Sequence, residues 1–337
     1  MAKKIGQATW IMDTFVCASA FASSGGKKES EGPFGSMFDY IDPDDRFGQQ
    51  SFEEAESAMQ GLTLQTALEK RGIKPSDLVL LFGGDLLNQC IGTSFALKDF
   101  EVPFLGIYGA CSTMSEGLLM SSLFVDSGLA QRCAAITSSH FCTAERQYRF
   151  PLEYGGQRTP NSQWTATACG AVILENGIEP PFIKAVTAGR IEDKGIVDAN
   201  NMGAAMAPAA YSTIKQFFDD TSLLPENFDY IVTGDLGIVG SQLLIELAGA
   251  DGLDLRSRHL DCGRMLFDID RQDVHAGGSG CGCAATVTAS YLLPKIESGE
   301  LGNILLMATG AMMSPLSIMQ GQSIPAIAHL VNIRTAR

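Results

Sequence analysis

The chain has 337 residues, 45% hydrophobic and 18% charged, with a formal net charge of −14. That length exceeds what one small core organises and predicts two domains or two fused halves, while the acidic balance excludes nucleic acid as a partner and direct docking on anionic lipid through a basic surface. Nine cysteines, scattered except for Cys281-Gly282-Cys283, indicate neither a disulfide framework nor a zinc site and predict reduced thiols in an intracellular protein.

In chain order, Met1 to Ile5 carries a basic pair, but the apolar stretch after it contains Asp13 and does not read as a signal peptide. Residues 23–51 form a polar insertion, expected to be a lid or a partner surface. Its aspartates at 39, 42, 44 and 45 lack EF-hand spacing and are broken by prolines, so they read as a solvated acidic loop and not a metal site. Helical spacing covers Phe52 to Gly72 and Ala209 to Asp219. Strands are expected at Leu78–Phe82, 133–139, Gly170–Leu174, Phe182–Ala188, Ile304–Met307 and Ala328–Ile333. No apolar run reaches the ~20 residues of a membrane span.

Between these lies Phe104 to Thr113, a short apolar strand that breaks at small residues and leaves Cys111 at the start of a helix. Unpaired amides and the helix dipole favour a thiolate or a docked anion there. The plainer alternative is a small buried packing residue. Residues 109–139 echo residues 280–310 at an offset of 171, and Asp77 to Leu86 echoes Asp229 to Leu236, so two βα arrays are implied. The expected fold is a layered α/β protein with halves at 1–178 and 179–337 and ligands beyond the carboxyl ends of the strands, where Cys111, Ser138 to His140, Asp235 and Gly310 fall.

Several motifs then carry a resemblance: residues 32–40 (GPFGSMFDY), 84–89 (GDLLNQ), 109–113 (GACST), 137–140 (TSSH), 143–147 (TAERQ), 153–157 (EYGGQ) and 275–280 (HAGGSG). With them the chain resembles the stage V sporulation protein AD family, within the thiolase and ketoacyl-synthase superfamily. The resemblance implies a thiolase-like duplicated βαβαβαββ core layered α-β-α-β-α, with a nucleophilic cysteine at a central helix. It further implies binding of dipicolinic acid (pyridine-2,6-dicarboxylate), free or as its calcium chelate, and uptake of it into the developing spore with the membrane subunits of a channel. A homodimer peripheral to the forespore or spore inner membrane, working without a cofactor, completes the expectation.

Condensing relatives pair the cysteine with polar partners from the second half, usually His with His or Asn. Here that strand end reads Thr233-Gly234-Asp235, and because Gly-Asp-Leu also occurs at 84–86, Asp235 reads more economically as a turn-capping carboxylate than as a catalytic base. His275 is the candidate to restore a Cys–His pair with Cys111, against a purely structural histidine; His259 and His329 read as structural. Ser138, Ser139 and His140 with Glu145, Arg146 and Arg149 place hydroxyls, an imidazole and guanidinium groups in one excursion of the chain, the inventory a rigid aromatic dicarboxylate asks for. Ser112 and Thr113 add donors. The expected ligand set is therefore Cys111, Ser112, Thr113, Ser138, Ser139, His140, Glu145, Arg146 and His275, with no metal. The alternatives are a thioester-dependent acyltransferase or condensing enzyme using Cys111 and His275, and a scaffold that assembles the channel through residues 23–51.

Overall fold

The structure, a computed structural model, describes residues 1–148 and 157–336. The chain runs β1 (Lys3–Ile5), β2 (Thr9–Ile11), β3 (Val16–Gly25), α1 (Lys27–Ser30), β4 (Tyr40–Ile41), α2 (Phe52–Arg71), β5 (Leu80–Gly84), α3 (Ile91–Leu97), β6 (Phe104–Gly106), α4 (Thr113–Asp126), β7 (Arg132–Ser139), α5 (Phe141–Tyr148), β8 (Trp164–Thr165) and β9 (Ala168–Asn176). It continues with β10 (Phe182–Thr187), α6 (Met202–Thr221), β11 (Tyr230–Thr233), α7 (Gly237–Ala250), β12 (His259–Asp261), α8 (Cys262–Met265), β13 (Gly278–Ser279), α9 (Cys281–Val287), α10 (Leu293–Glu297), β14 (Asn303–Ala311), α11 (Pro315–Met319) and β15 (Ala326–Arg334).

Strand pairing repeats itself. On one side the order is β6-β5-β7-β9-β3 and on the other β12-β11-β14-β15-β10. In each series the first two pairings are parallel and the next two antiparallel. The two series are joined in register at one residue pair, Phe182 with Cys17, beside which Ala18 N–H donates to Pro181 O at 2.9 Å. The offset of 171 read in the sequence superposes Arg132–Ser139 on Asn303–Gly310, that is β7 on β14.

Layering follows from burial. Strands β7, β9 and β14 are buried nearly end to end instead of alternating, as strands covered on both faces must be. Their shared face holds α4 and α9, which contact strands of both series around one large apolar cluster that includes Phe82, Met114, Leu118, Val172 and Leu306. Outside lie α2 and α3 over the first series and α6 and α7 over the second, each with its own core. This is the α-β-α-β-α arrangement. Close packing at its centre requires glycine, since a Cβ at Gly282 would sit 2.1 Å from the Ala168 carbonyl oxygen. No helix among the described residues is long and apolar enough to cross a membrane.

Residues 23–51 are tied into the fold at several points, while most of residues 27–50 stay exposed or half-buried. Residues 23–25 finish the core strand β3, Gly26 N–H donates to the Thr167 carbonyl at 2.8 Å, and β4 pairs with β3. Phe34 is buried and stacks on Tyr291 with ring centroids 4.7 Å apart. The aspartates are occupied: Asp39 accepts from Ser23 N and pairs with Lys70, Asp42 accepts from Asp44 N and Arg46 N, and Asp45 accepts from Lys27 N. Small residues and an alternation hidden by two-sided burial disguised β3 in the sequence.

Candidate functional site

Cys111 stands on a sharp turn between β6 and α4. Ala110 holds a left-handed backbone (φ 49°), a strained conformation for a residue with a Cβ, and residues 110–112 form a single 3-10 turn. Ser112 and Thr113 are spent on holding that turn: Ser112 Oγ donates to Gly109 O at 2.7 Å and Thr113 Oγ1 to Ala110 O at 2.7 Å. They do not aim donors at a ligand. From the second series, Gly310 brings β14 so close that a Cβ there would lie 2.1 Å from Gly109 O.

The partner of the thiol is Asp235. It follows β11 and accepts hydrogen bonds from Gly280 N (2.9 Å), Thr309 Oγ1 (2.9 Å) and Ser279 Oγ (3.2 Å), and its carboxyl is close enough to the Cys111 thiol for each to shift the other's protonation. These hydrogen bonds run to other segments, so Asp235 does not cap its own turn. Complete burial pushes the Asp235 carboxyl up to about 7, against the hydrogen bonds that favour its charged form. Burial, then the charge of Asp235, then Cys281 raise the Cys111 thiol well above its ordinary value. The expectation of a thiolate is therefore reversed. An amide-rich helix start favours the anion, but desolvation beside a carboxylate outweighs it, and the thiol keeps its proton.

The space beside Cys111 open to a water-sized sphere is about 30 Å³. That is room for about two waters, far below the roughly 300 Å³ at which small-molecule sites begin. Its walls include Glu145, Thr165, Met202 and Met313, with Tyr108 and Tyr148. The two phenol oxygens lie 3.0 Å apart and Tyr148 donates onward to Leu86 O at 2.7 Å, closing one side.

None of the four histidines lines this cavity. His275 is not brought to the thiol: its Nε2 lies 3.4 Å from the exposed Asp273. His140 is fully buried elsewhere, bonding the Asp45 carbonyl through Nε2 and receiving Cys142 N–H at Nδ1. His259 meets Thr233 Oγ1 at 2.9 Å, and His329 accepts from Gly189 N at 3.2 Å. Both are structural, though with polar partners.

The polar excursion after β7 is dispersed in the fold. Ser138 Oγ donates to Glu56 and receives Gln60, while Ser139 Oγ donates to Ala166 O and receives Gly282 N, tying α9 to the first series. Arg146 forms an exposed pair with Glu53. Arg149 and residues 153–156 lie outside the described residues. Of the ligand set expected from the sequence, Cys111 and Glu145 reach the cavity wall. Sequence reasoning missed Arg158, whose Nη1 lies 3.3 Å from Glu145 Oε1, and the tyrosine pair. Among the described residues no group of three or more His, Cys, Asp or Glu side chains is arranged to hold a metal ion.

Among solved structures, the chain is similar to 3-oxoacyl-[acyl-carrier-protein] synthase III from Aquifex aeolicus VF5, with TM-score 0.58 and 13% identity over 95% of this chain and 99% of that one. It is also similar to a single-substitution variant of Xanthomonas campestris OleA, with TM-score 0.59 and 12% identity over 96% and 99%. At such identities the likeness concerns the fold alone, which is the thiolase-like one. The Stage V sporulation protein AD of Bacillus subtilis (strain 168) is 40% identical over 327 residues, covering 97% of this chain and 96% of that protein. The family model described as Stage V sporulation protein AD matches residues 6–334, and the chain belongs to that family of sporulation proteins.

Proposed function

We propose that this protein binds dipicolinate, free or as its calcium chelate, on a condensing-enzyme scaffold that no longer condenses, and takes part in moving the ligand into the developing spore with membrane channel subunits. The observation that carries the reading is the identity of the group facing Cys111. Condensation needs a nucleophilic thiolate and a neighbour that exchanges a proton or donates to a developing oxyanion. Burial beside the Asp235 carboxylate opposes the first requirement, because two adjacent negative charges cannot coexist in a dry cavity and the thiol keeps its proton.

Charge favours the chelate or a local cation. A dianion approaching a chain of net charge −14 meets repulsion, screened beyond about 8 Å at physiological salt. Calcium would neutralise the ligand and present open coordination positions to carboxylates such as Glu145 and Asp235. Access requires the Tyr108–Tyr148 contact to open, since the closed cavity is too small.

The proposal includes a homodimer across β6, an edge strand hydrogen-bonded on one side to β5, with Leu105 44% and Phe95 57% exposed beside it. It also includes a position at the inner spore membrane through those channel subunits. Titration calorimetry of the full chain with dipicolinate, with and without calcium, tests the central point: heat with a 1:1 midpoint is expected, and no heat in either condition overturns it. Incubation with acyl thioesters followed by intact mass should leave Cys111 unmodified; multiple turnovers would instead establish the enzyme. Sedimentation should report a dimer that Leu105→Asp dissociates.

A further inference from the structure

Beside Glu145 two cations share one indole. Lys28 Nζ lies 4.0 Å from the centre of the Trp164 ring, and the Arg158 guanidinium carbon lies 5.1 Å from that centre and 5.7 Å from that of Phe141. Phe141 and Trp164 are stacked, 3.9 Å apart and 12° from parallel. Trp164 is held by the fold: its strand β8 pairs with β13, whose Ser279 donates to Asp235.

The hydrogen bonding of Arg158 is unfinished. Nη1 reaches Glu145 at 3.3 Å and Nη2 donates to the Gln163 carbonyl, yet the buried Nε finds no acceptor among the described residues. A buried guanidinium N–H left without an acceptor costs free energy that an incoming carboxylate would recover. Lys28 forms no ion pair with a carboxylate among the described residues. In a chain this acidic, two cations converging on an aromatic surface beside a cavity wall concentrate anions where the long-range field repels them.

We propose that Lys28, Trp164 and Arg158 form the outer, carboxylate-recognising end of the ligand site and make it select a planar aromatic diacid over the corresponding monoacid. This rests on the dipicolinate-binding reading above. One acid group meets Lys28 Nζ and Arg158 Nε–H, while the ring nitrogen and the other acid group hold the calcium that faces Glu145 and the Cys111 cavity; a monoacid chelates the calcium with its one acid group and leaves the outer end empty. The planar fork of arginine matters here, since lysine at 158 would keep the charge and lose the directed Nε–H.

The chain has two tryptophans, Trp10 and Trp164, so Trp10→Phe leaves Trp164 as the sole indole reporter. In that full-length background, dipicolinate is expected to change the Trp164 emission with the same midpoint as the calorimetric titration. Lys28→Met should raise Kd for dipicolinate about five-fold and Arg158→Lys about ten-fold, as befits lost charge-assisted contacts. Both should leave Kd for pyridine-2-carboxylate within about two-fold, so the preference for the diacid falls. Lys28 is half-buried and forms no ion pair among the described residues, so its replacement by the similarly sized methionine keeps the test valid if Arg158→Lys fails to fold. Wild-type heat with unmoved Trp164 emission and unaltered Kd in Lys28→Met overturns this assignment and leaves the binding function standing. Absence of heat in wild type overturns both.

Discussion

Two Gly-Asp-Leu turns end corresponding strands, and they do different work. Asp85, after β5, accepts from Leu87 N, Thr93 N and Thr93 Oγ1 at 2.8, 2.7 and 2.6 Å, binding its own turn to α3. Asp235, after β11, leaves that task to Asp261, which accepts from Thr233 Oγ1, Leu236 N, Gly237 N and Arg264 N. Freed from its own turn, Asp235 reaches across to Gly280, Thr309 and Cys111. A repeated motif preserves a position in the fold, and the neighbouring strand decides the role.

The largest expected effect separates the two turns by stability. Asp85→Ala strands three buried donors and should cost about 3 kcal/mol or more, whereas Asp235→Asn keeps a carbonyl acceptor for Gly280 and should cost under about 1 kcal/mol, both read from denaturant midpoints. Equal costs would break the comparison. Next, alkylation of Cys111 should be slow in wild type and about ten-fold faster in Asp235→Asn at the same pH, because removing the adjacent charge lowers the thiol towards its ordinary value.

A pH series sharpens the same point. Burial raises Asp235 from 3.8 to about 7, Asp261 from 3.8 to about 6 and Glu29 from 4.5 to about 8. A group raised in this way contributes its full stability below the unfolded value and loses it as pH rises through the folded one. Wild-type stability should therefore decline from pH about 4 to about 8, and Asp235→Asn should decline less steeply up to pH about 7. The smallest effect belongs to His275→Ala, which should change Cys111 alkylation by less than about two-fold, since the imidazole faces Asp273. A large loss there would restore the Cys–His pair.

Local chemistry made much of the scaffold legible. The helix expected over Phe52–Gly72 is Phe52–Arg71, because Ser51 and Glu54 close a capping box and Gly72 takes the left-handed cap (φ 71°). The long helix α6, expected from Ala209, begins at Met202, because Asn201 caps it by accepting Ala204 N–H. The turn bearing Cys111 was readable, as glycine and small residues after an apolar strand leave few other geometries. The charge state of its thiol was not, since that depends on a carboxylate 124 positions away in the chain. Nor was the fate of Ser138, Ser139 and His140, whose partners come from the segment before α2, from α2 itself, from the link between β8 and β9, and from α9.

By itself the amino-acid sequence determined the duplication, most strand and helix positions and the sporulation family, because periodicity, capping and repeated motifs act over short stretches of chain. Tertiary structure alone decided which carboxylate meets the thiol, that no imidazole does, and that Arg158 joins Lys28 on Trp164. These are outcomes of burial and close approach between distant segments, where desolvation and a few ångströms set both protonation and partner.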